Sequence, residues 1–312
     1  MSIVRINAIT VPDQGGPELR RRRPAGGRSM TTGPGDPLAA VAQVAIDHLN
    51  SDHAEAVQVA RLRTFVTTVV RRRELNDRLL QLTFGGGDLV EFEPVAADQF
   101  VYVLAPPAGR RELSIDQHFT WTHYEAMPVA DRPRGAYYSV RHWRPAVAEM
   151  DVIVVRHDGG EASGWAEQVT VGEPVAVWGP REVYAPPADT GSLLLVADET
   201  GLPALAAILE HRPAHLQAVA VIEIDDESHA IPLAVSPADR VVWLRRGDVA
   251  PGTTSLLLDA VRSVEVPADV YAWGGAETKA MTAIRRYLRD DVGLPQERVA
   301  MTGYWRLQPH DV

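Results

Sequence analysis

Five short segments of this sequence carry residue types and spacings that could do chemistry. The first is Ala136-Tyr137-Tyr138-Ser139-Val140-Arg141. It places an aromatic ring, a small hydroxyl and a cation within four residues of one extended stretch. Those are the three groups a flavin requires: a surface for its ring, a hydrogen-bonding partner near its reactive nitrogen and a charge for its phosphates. Strand alternation puts Tyr137 and Ser139 on one face and Tyr138 and Val140 on the other. The same residues would also serve as ordinary strand packing. The second segment is His157-Asp158-Gly159-Gly160-Glu161-Ala162-Ser163-Gly164-Trp165-Ala166. Glycines and small residues leading into a helix expose backbone N–H groups at its N-terminus, which is an anion site suited to a pyrophosphate. A Gly-rich turn with a helix cap has the same appearance.

The third segment, Ala197-Asp198-Glu199-Thr200-Gly201-Leu202-Pro203-Ala204, directly follows an apolar run, where ligands of open α/β sheets bind. It lacks the G-x-G-x-x-G dinucleotide spacing. The fourth, Trp273-Gly274-Gly275-Ala276-Glu277, ends a later apolar run. Its glycines would let a nicotinamide approach the backbone closely. The fifth is Arg245-Arg246, a strand-end pair able to grip the 2′-phosphate of NADPH, while Glu223, Asp225, Asp226 and Glu227 end another strand and favour the free hydroxyl of NADH.

The elements that position these segments change character along the chain. Residues 1–37, with four consecutive arginines at Arg20 to Arg23, read as a flexible tail, and Met30 is a possible alternative start. Residues 38–62 have helical spacing. Within them His48, Asp52 and His53 read as a polar helix face or, alternatively, as metal or haem ligands. From Thr64 to Trp178 short β-branched stretches alternate with turn signals, as in an antiparallel barrel. The polar and aromatic stretch from Pro106 to Arg134 interrupts that pattern and is expected to be functional or locally helical. From Ser192 apolar strands alternate with helices, as in a parallel sheet covered on both faces. Four domain-level pieces follow: the tail 1–37, the helix 38–62, a barrel over 63–188 and an α/β unit over 189–312.

Composition sets the limits. The 312 residues are 46% apolar and 23% charged, typical of a globular protein. There is no cysteine, so disulfides, thiolate metal sites and cysteine nucleophiles are excluded, and redox chemistry would need a bound organic cofactor. The net charge of −10 argues against nucleic acid as the main partner. No apolar run reaches the roughly 18 residues of a membrane span. Lys279 is the only lysine, so guanidinium supplies nearly all positive charge. A cytoplasmic location is expected.

Taken in order, the segments resemble the siderophore-interacting protein family of ferric-siderophore reductases, over about Thr64 to Arg306. The resemblance rests on Gly135 to Arg141, Gly160 to Ala166, Gly179-Pro180-Arg181, Asp198 to Ala204, Trp273 to Glu277 and Gly303-Tyr304-Trp305-Arg306. It implies a ferredoxin-reductase-like architecture, an FAD-binding barrel followed by a nicotinamide-binding α/β domain. It further implies that Tyr138 and Ser139 contact the flavin ring, that Arg141 serves the FAD phosphate region, and that His157, Gly160, Ala162 and Ser163 line the FAD. Asp198 and Thr200 would lie on the nicotinamide side, with Arg245, Arg246, Gly274, Gly275 and Glu277 as nicotinamide-binding residues. No resident metal is implied. The implied donor is NADPH or NADH, with NADPH favoured by the resemblance and ferredoxin as another possible donor. The implied substrate is a ferric siderophore, docked by arginines such as Arg110, Arg111 or Arg306. Two departures stand out: Ala136 occupies a position that is arginine in many members, with Arg134 two residues earlier, and Glu161 stands in the phosphate turn. The alternative readings are a non-catalytic siderophore or haem carrier and a flavin reductase serving another acceptor.

Overall fold

The computed structural model describes residues 62–157 and 160–307. The tail and the helix expected over residues 38–62 lie outside the described residues, apart from Leu62.

Six strands, β1 (Arg63–Glu74), β2 (Leu79–Gly85), β3 (Phe100–Ala105), β4 (Arg134–Arg144), β5 (Glu149–Val155) and β6 (Pro174–Arg181), close into an antiparallel barrel in the order β1-β2-β5-β4-β3-β6. Alternation drives the closure. Leu80, Leu82, Phe84, Val101, Val103, Val152, Val154, Val175 and Val177 all point inward and are fully or nearly fully buried. A six-residue helix, α1 (Trp121–Ala126), forms within the Pro106 to Arg134 insertion, capped by Thr120, whose Oγ1 accepts from the His123 N–H at 3.3 Å. The insertion lays Phe119 and Tyr124 on Tyr102, Leu104, Ala176 and Trp178, which face outward from β3 and β6. That second cluster is why β3 and β6 are buried on both faces.

Helix α2 (Glu161–Gln168) closes one end of the barrel through Trp165 and Ala166. A connection through Val183 and Tyr184 then leads to the second unit. Here β7 (Ser192–Ala197), β8 (Gln217–Ile224), β9 (Arg240–Arg245), β10 (Val270–Glu277) and β11 (Val299–Trp305) form a parallel sheet in the order β11-β10-β7-β8-β9. Helix α3 (Leu202–His211) covers one face, while α4 (Leu256–Ser263) and α5 (Thr278–Arg286) cover the other. Helix α5 passes into a π turn over Tyr287–Asp291. In α3 every residue from Leu202 to Leu209 is buried. A helix apolar all round must be covered all round, and here the sheet covers one side and β4 of the barrel the other.

The two units are tied at Asp98, just before β3. Its buried carboxylate accepts from the N–H groups of Val183 (3.2 Å) and Tyr184 (2.9 Å) and from the Trp273 indole of β10 at 3.0 Å. No helix among the described residues is long and apolar enough to cross a membrane.

Candidate flavin and donor site in the interdomain crevice

Strand β4 presents the first segment to the crevice. Tyr138 is half-buried and packs with Val140 on the inner barrel cluster, and burial pushes its phenol above the ordinary tyrosine range. Tyr137 points the other way, edge-on to Phe100 at 5.5 Å and to Tyr102 at 4.8 Å. Ser139 is buried and faces the Tyr304 phenol of β11. Burial raises that phenol, and the carboxylates of Asp98 and Asp198 push it the same way.

At the barrel end of the crevice, α2 begins at Gly160, and no side chain caps its first turn. The His157 N–H donates to the buried Ser163 Oγ at 3.2 Å, folding the turn back on the helix. The His157 ring lies over Gly160 so closely that a Cβ there would sit 2.3 Å from Cε1. Glu161, in the first turn of α2, is exposed. Ala162 is half-buried beside it. An uncapped helix N-terminus, a glycine under an imidazole and a Tyr-Ser pair on the adjoining strand fit the pyrophosphate and ring of FAD. Gly160, Ala162, Ser163 and His157 would hold the phosphates, and Tyr138 with Ser139 the ring.

Arg141 joins the barrel to the α/β unit. Its buried guanidinium forms two hydrogen bonds with the Glu210 carboxylate at the end of α3, both 2.6 Å. That contact, with burial opposing it, lowers the Glu210 carboxyl below its usual range. The register sets Val140 against Val152 and His142 against Asp151, so Arg141 lies about 10 Å along the barrel from the end of β5, at about 3.3 Å per residue. Arg134, two positions before Ala136, donates to the Pro106 carbonyl at 2.9 Å and belongs to the insertion.

Asp198, at the end of β7, is a hub. Its Oδ1 accepts from the N–H and Oγ1 of Thr200 at 2.8 and 2.5 Å. Its Oδ2 accepts from the Trp305 indole at 2.7 Å and the Glu277 N–H at 3.2 Å. The ends of β7, β10 and β11 are thereby fastened at the point where strand order reverses, which is where such sheets bind ligands. A 230 Å³ cavity there is lined by Asp198, Glu223, Thr254, Glu277 and Lys279.

The expected nicotinamide residues already have partners within the protein. Arg246 is buried, its side chain 1% exposed, and is held by Glu199 (2.8 Å), Glu223 (3.0 Å) and Asp225. Gly274 lies under the Met281 and Met301 sulfurs, Gly275 lies under the Tyr304 ring, and a Cβ on either would overlap them. Those glycines admit the protein's own side chains. Glu277 caps α5, accepting from Lys279 N–H at 2.5 Å and Ala280 N–H at 3.1 Å. Arg245 is exposed and pairs with Asp226 at 3.3 Å. Arg110 and Arg111, expected to dock a substrate, are paired with Asp131 and Glu173 on the outer surface of the insertion.

Sequence reading missed the residues that join the two units: Asp98, Glu210 and, at the β1–β2 turn, Asn76, Asp77 and Arg78. Arg78 donates through Nε to Asp225 Oδ2 at 2.9 Å, Asp77 Oδ1 meets His229 Nε2 at 2.8 Å, and Asn76 donates to the Ser228 carbonyl at 3.2 Å. No spacing signals these contacts, because each partner lies on the other unit. Glu199, Asp225 and His229 bring ligand-type atoms within 4.8 Å of one another, but the guanidiniums of Arg246 and Arg78 already neutralise both carboxylates.

A closed antiparallel barrel followed by a five-stranded parallel sheet, with the candidate site in the crevice between them, defines a protein of the ferredoxin-reductase-like class. Residues 68–184 match the siderophore-interacting FAD-binding domain and residues 190–308 the siderophore-interacting protein domain. The chain belongs to the siderophore-interacting protein family. It is 30% identical to a siderophore utilization protein from T. fusca, with a TM-score of 0.69 over 80% of this chain and 97% of that one. It is 26% identical over 263 residues to the ferric vibriobactin reductase ViuB of Vibrio cholerae, covering 80% of this chain and 92% of that protein. It is 27% identical over 252 residues to the NADPH-dependent ferric-chelate reductase of Escherichia coli, covering 78% and 93%.

Proposed function

We propose that this protein is an FAD-dependent ferric-siderophore reductase that takes electrons from a reduced nicotinamide dinucleotide and delivers them to siderophore-bound Fe(III). The observation that carries the reading is that the uncapped α2 turn packs on β4, whose Ser139 faces Tyr304 of β11, the strand that Asp198 fastens through Trp305. Bound FAD supplies a two-electron hydride acceptor that can release its electrons singly. The protein's own part is to bind, orient and shield. The α2 turn and His157 hold phosphate, Tyr138 offers a ring face, and Ser139 a hydroxyl. Tyr304 and the all-apolar α3 keep water from the inner side of the crevice.

The Fe(III) substrate needs no protein ligand. Hydroxamate or catecholate oxygens hold hard Fe(III) far better than Fe(II), so reduction releases the iron. Beside the Arg141–Glu210 pair lies a 440 Å³ cavity lined by Arg71, Arg73, His142, Arg144, Asp151 and Glu210, in which Arg71 and Arg144 are paired with carboxylates and Arg73 bonds the neutral Gln81. This is the surface we assign to an anionic ferric complex.

The purified protein should be yellow, bleach on adding NADH or NADPH without oxygen, and recolour with a ferric siderophore while a chelating dye captures Fe(II). A colourless protein that cannot be loaded with FAD would rule the proposal out in favour of a carrier. Bleaching with no Fe(II) would point to a flavin reductase with another acceptor.

A further inference from the structure

The end of β8 is the position at which a sheet of this topology reads the adenosine ribose of a dinucleotide. An acid about 20 residues beyond the first strand's turn accepts from a free 2′-hydroxyl and repels a 2′-phosphate. Here that turn holds Gly201, and the acids that follow it are Glu223 and Asp225. Glu223 is spent on Arg246 and on the Thr254 hydroxyl, 2.7 Å away. Of these two Asp225 is the more exposed, its side chain 15% exposed, while Asp226 beyond it pairs with Arg245. It is covered from the barrel side by Arg78, with Asp77–His229 and Asn76–Ser228 closing on either side of it.

We propose that Asp225 is the residue that selects the donor, in favour of the dinucleotide with a free 2′-hydroxyl, and that the Asn76-Asp77-Arg78 turn is a latch that must lift to let it do so. This rests on the reading that a nicotinamide dinucleotide is the donor. Three features support it. Asp225 keeps a partner when the latch lifts, because Arg246 stays against it inside the α/β unit. The strand-end surface is net acidic: Asp77, Glu199, Glu223, Asp225, Asp226 and Glu227 outnumber the permanent cations Arg78, Arg245, Arg246 and Lys279, with His229 among them and the neighbouring Arg156 paired to Glu74. A 2′-phosphate would meet that excess of negative charge. Finally, of the two arginines at the end of β9, Arg246 is walled in and Arg245 is already paired with Asp226 at 3.3 Å.

A latch that closes a binding position lowers apparent affinity by the fraction of time it is open. Calorimetric titration of the FAD-loaded protein with ADP-ribose and with its 2′-phosphorylated form tests this without any redox chemistry. The wild type should bind ADP-ribose more tightly than the 2′-phosphate form. Arg78→Ala should tighten ADP-ribose about tenfold if the latch is closed about nine-tenths of the time, leaving the order of preference unchanged. Asp225→Ala should erase the preference. Salt should favour ADP-ribose binding to the wild type, by screening the partly exposed Arg78–Asp225 pair, and this effect should vanish in Arg78→Ala. Tighter binding of the 2′-phosphate form, lost in Arg78→Ala, would overturn the proposal by making Arg78 a phosphate ligand. Equal affinities in wild type and Arg78→Ala, or no binding to either, would overturn it as well. If ADP-ribose binds as expected but neither NADH nor NADPH bleaches the flavin, the donor reading fails while Asp225 stands as a ribose reader.

Discussion

Asp98 shows how one buried carboxylate can set a pH dependence. Burial raises its carboxyl to about 6, with the Tyr184, Trp273 and Val183 donors pulling in the opposite direction. An exposed aspartate titrates near 3.9, so between about pH 4 and pH 6 the folded chain binds more protons at this position than the unfolded chain does. The contribution of Asp98 to stability is therefore fully present below about pH 4 and is lost as pH rises through about 6. Asp98→Asn removes this term. The stability of the wild type relative to that variant should fall by on the order of 2 kcal/mol from pH 4 to pH 7 in urea unfolding. A difference that does not change with pH would show that Asp98 stays ionised throughout. At the same scale, β4 drew attention in the sequence because Tyr138, Ser139 and Arg141 stand within four residues on one strand. The partners of Arg246 were not legible: Glu199 and Glu223 lie at the ends of β7 and β8, which only the parallel stacking of those strands brings to it. Nor were the neighbours of Gly274 and Gly275, because glycine signals that something lies close without saying what, and here it is Met281, Met301 and Tyr304.

Among the elements, the insertion illustrates a different limit of sequence reading. A long polar and aromatic stretch predicts either function or a local fold, and here α1 builds an aromatic cluster on the barrel's outer face. Trp121 stands at its centre, edge-on to Tyr102 (5.1 Å), Tyr124 (5.2 Å), Trp178 (5.4 Å) and Phe119 (5.8 Å). Trp121→Ala should cost about 3 kcal/mol and release residues between Pro106 and Arg134 to proteolysis, while FAD content, read as flavin absorbance per chain, holds. Loss of flavin in step with the loop would mean that the cluster also supports the Tyr138 side of β4. The strands themselves were legible to within a few residues, since their inward positions alternate. The turn from α5 into a π segment was not, because helical spacing continues through Tyr287 and Leu288.

Across the whole molecule, the two units are fastened at both ends of the crevice, by Arg141–Glu210 at one and by the Arg78 turn at the other. Arg141 is almost fully buried, so removing its partner leaves an uncompensated charge. Glu210→Ala should lower stability by about 3 kcal/mol, whereas Glu210→Gln, which keeps an acceptor, should cost less. The same pair should weaken in acid, since its contribution is present above the ordinary glutamate value and is lost as pH falls through the lowered one. Equilibrium unfolding of both variants at pH 7 and pH 4 checks the order and the direction. None of these joints was legible in the sequence, because each is made between residues 69 to 152 positions apart.

Lys279 sits exposed on the first turn of α5, at the mouth of the cavity beside Asp198 and Glu277. It is the single side-chain amine in the chain. An amine-directed fluorophore or photocrosslinker would therefore attach to one side chain only, beside the position where the electron donor is expected to dock. That gives a probe of docking without any engineered residue.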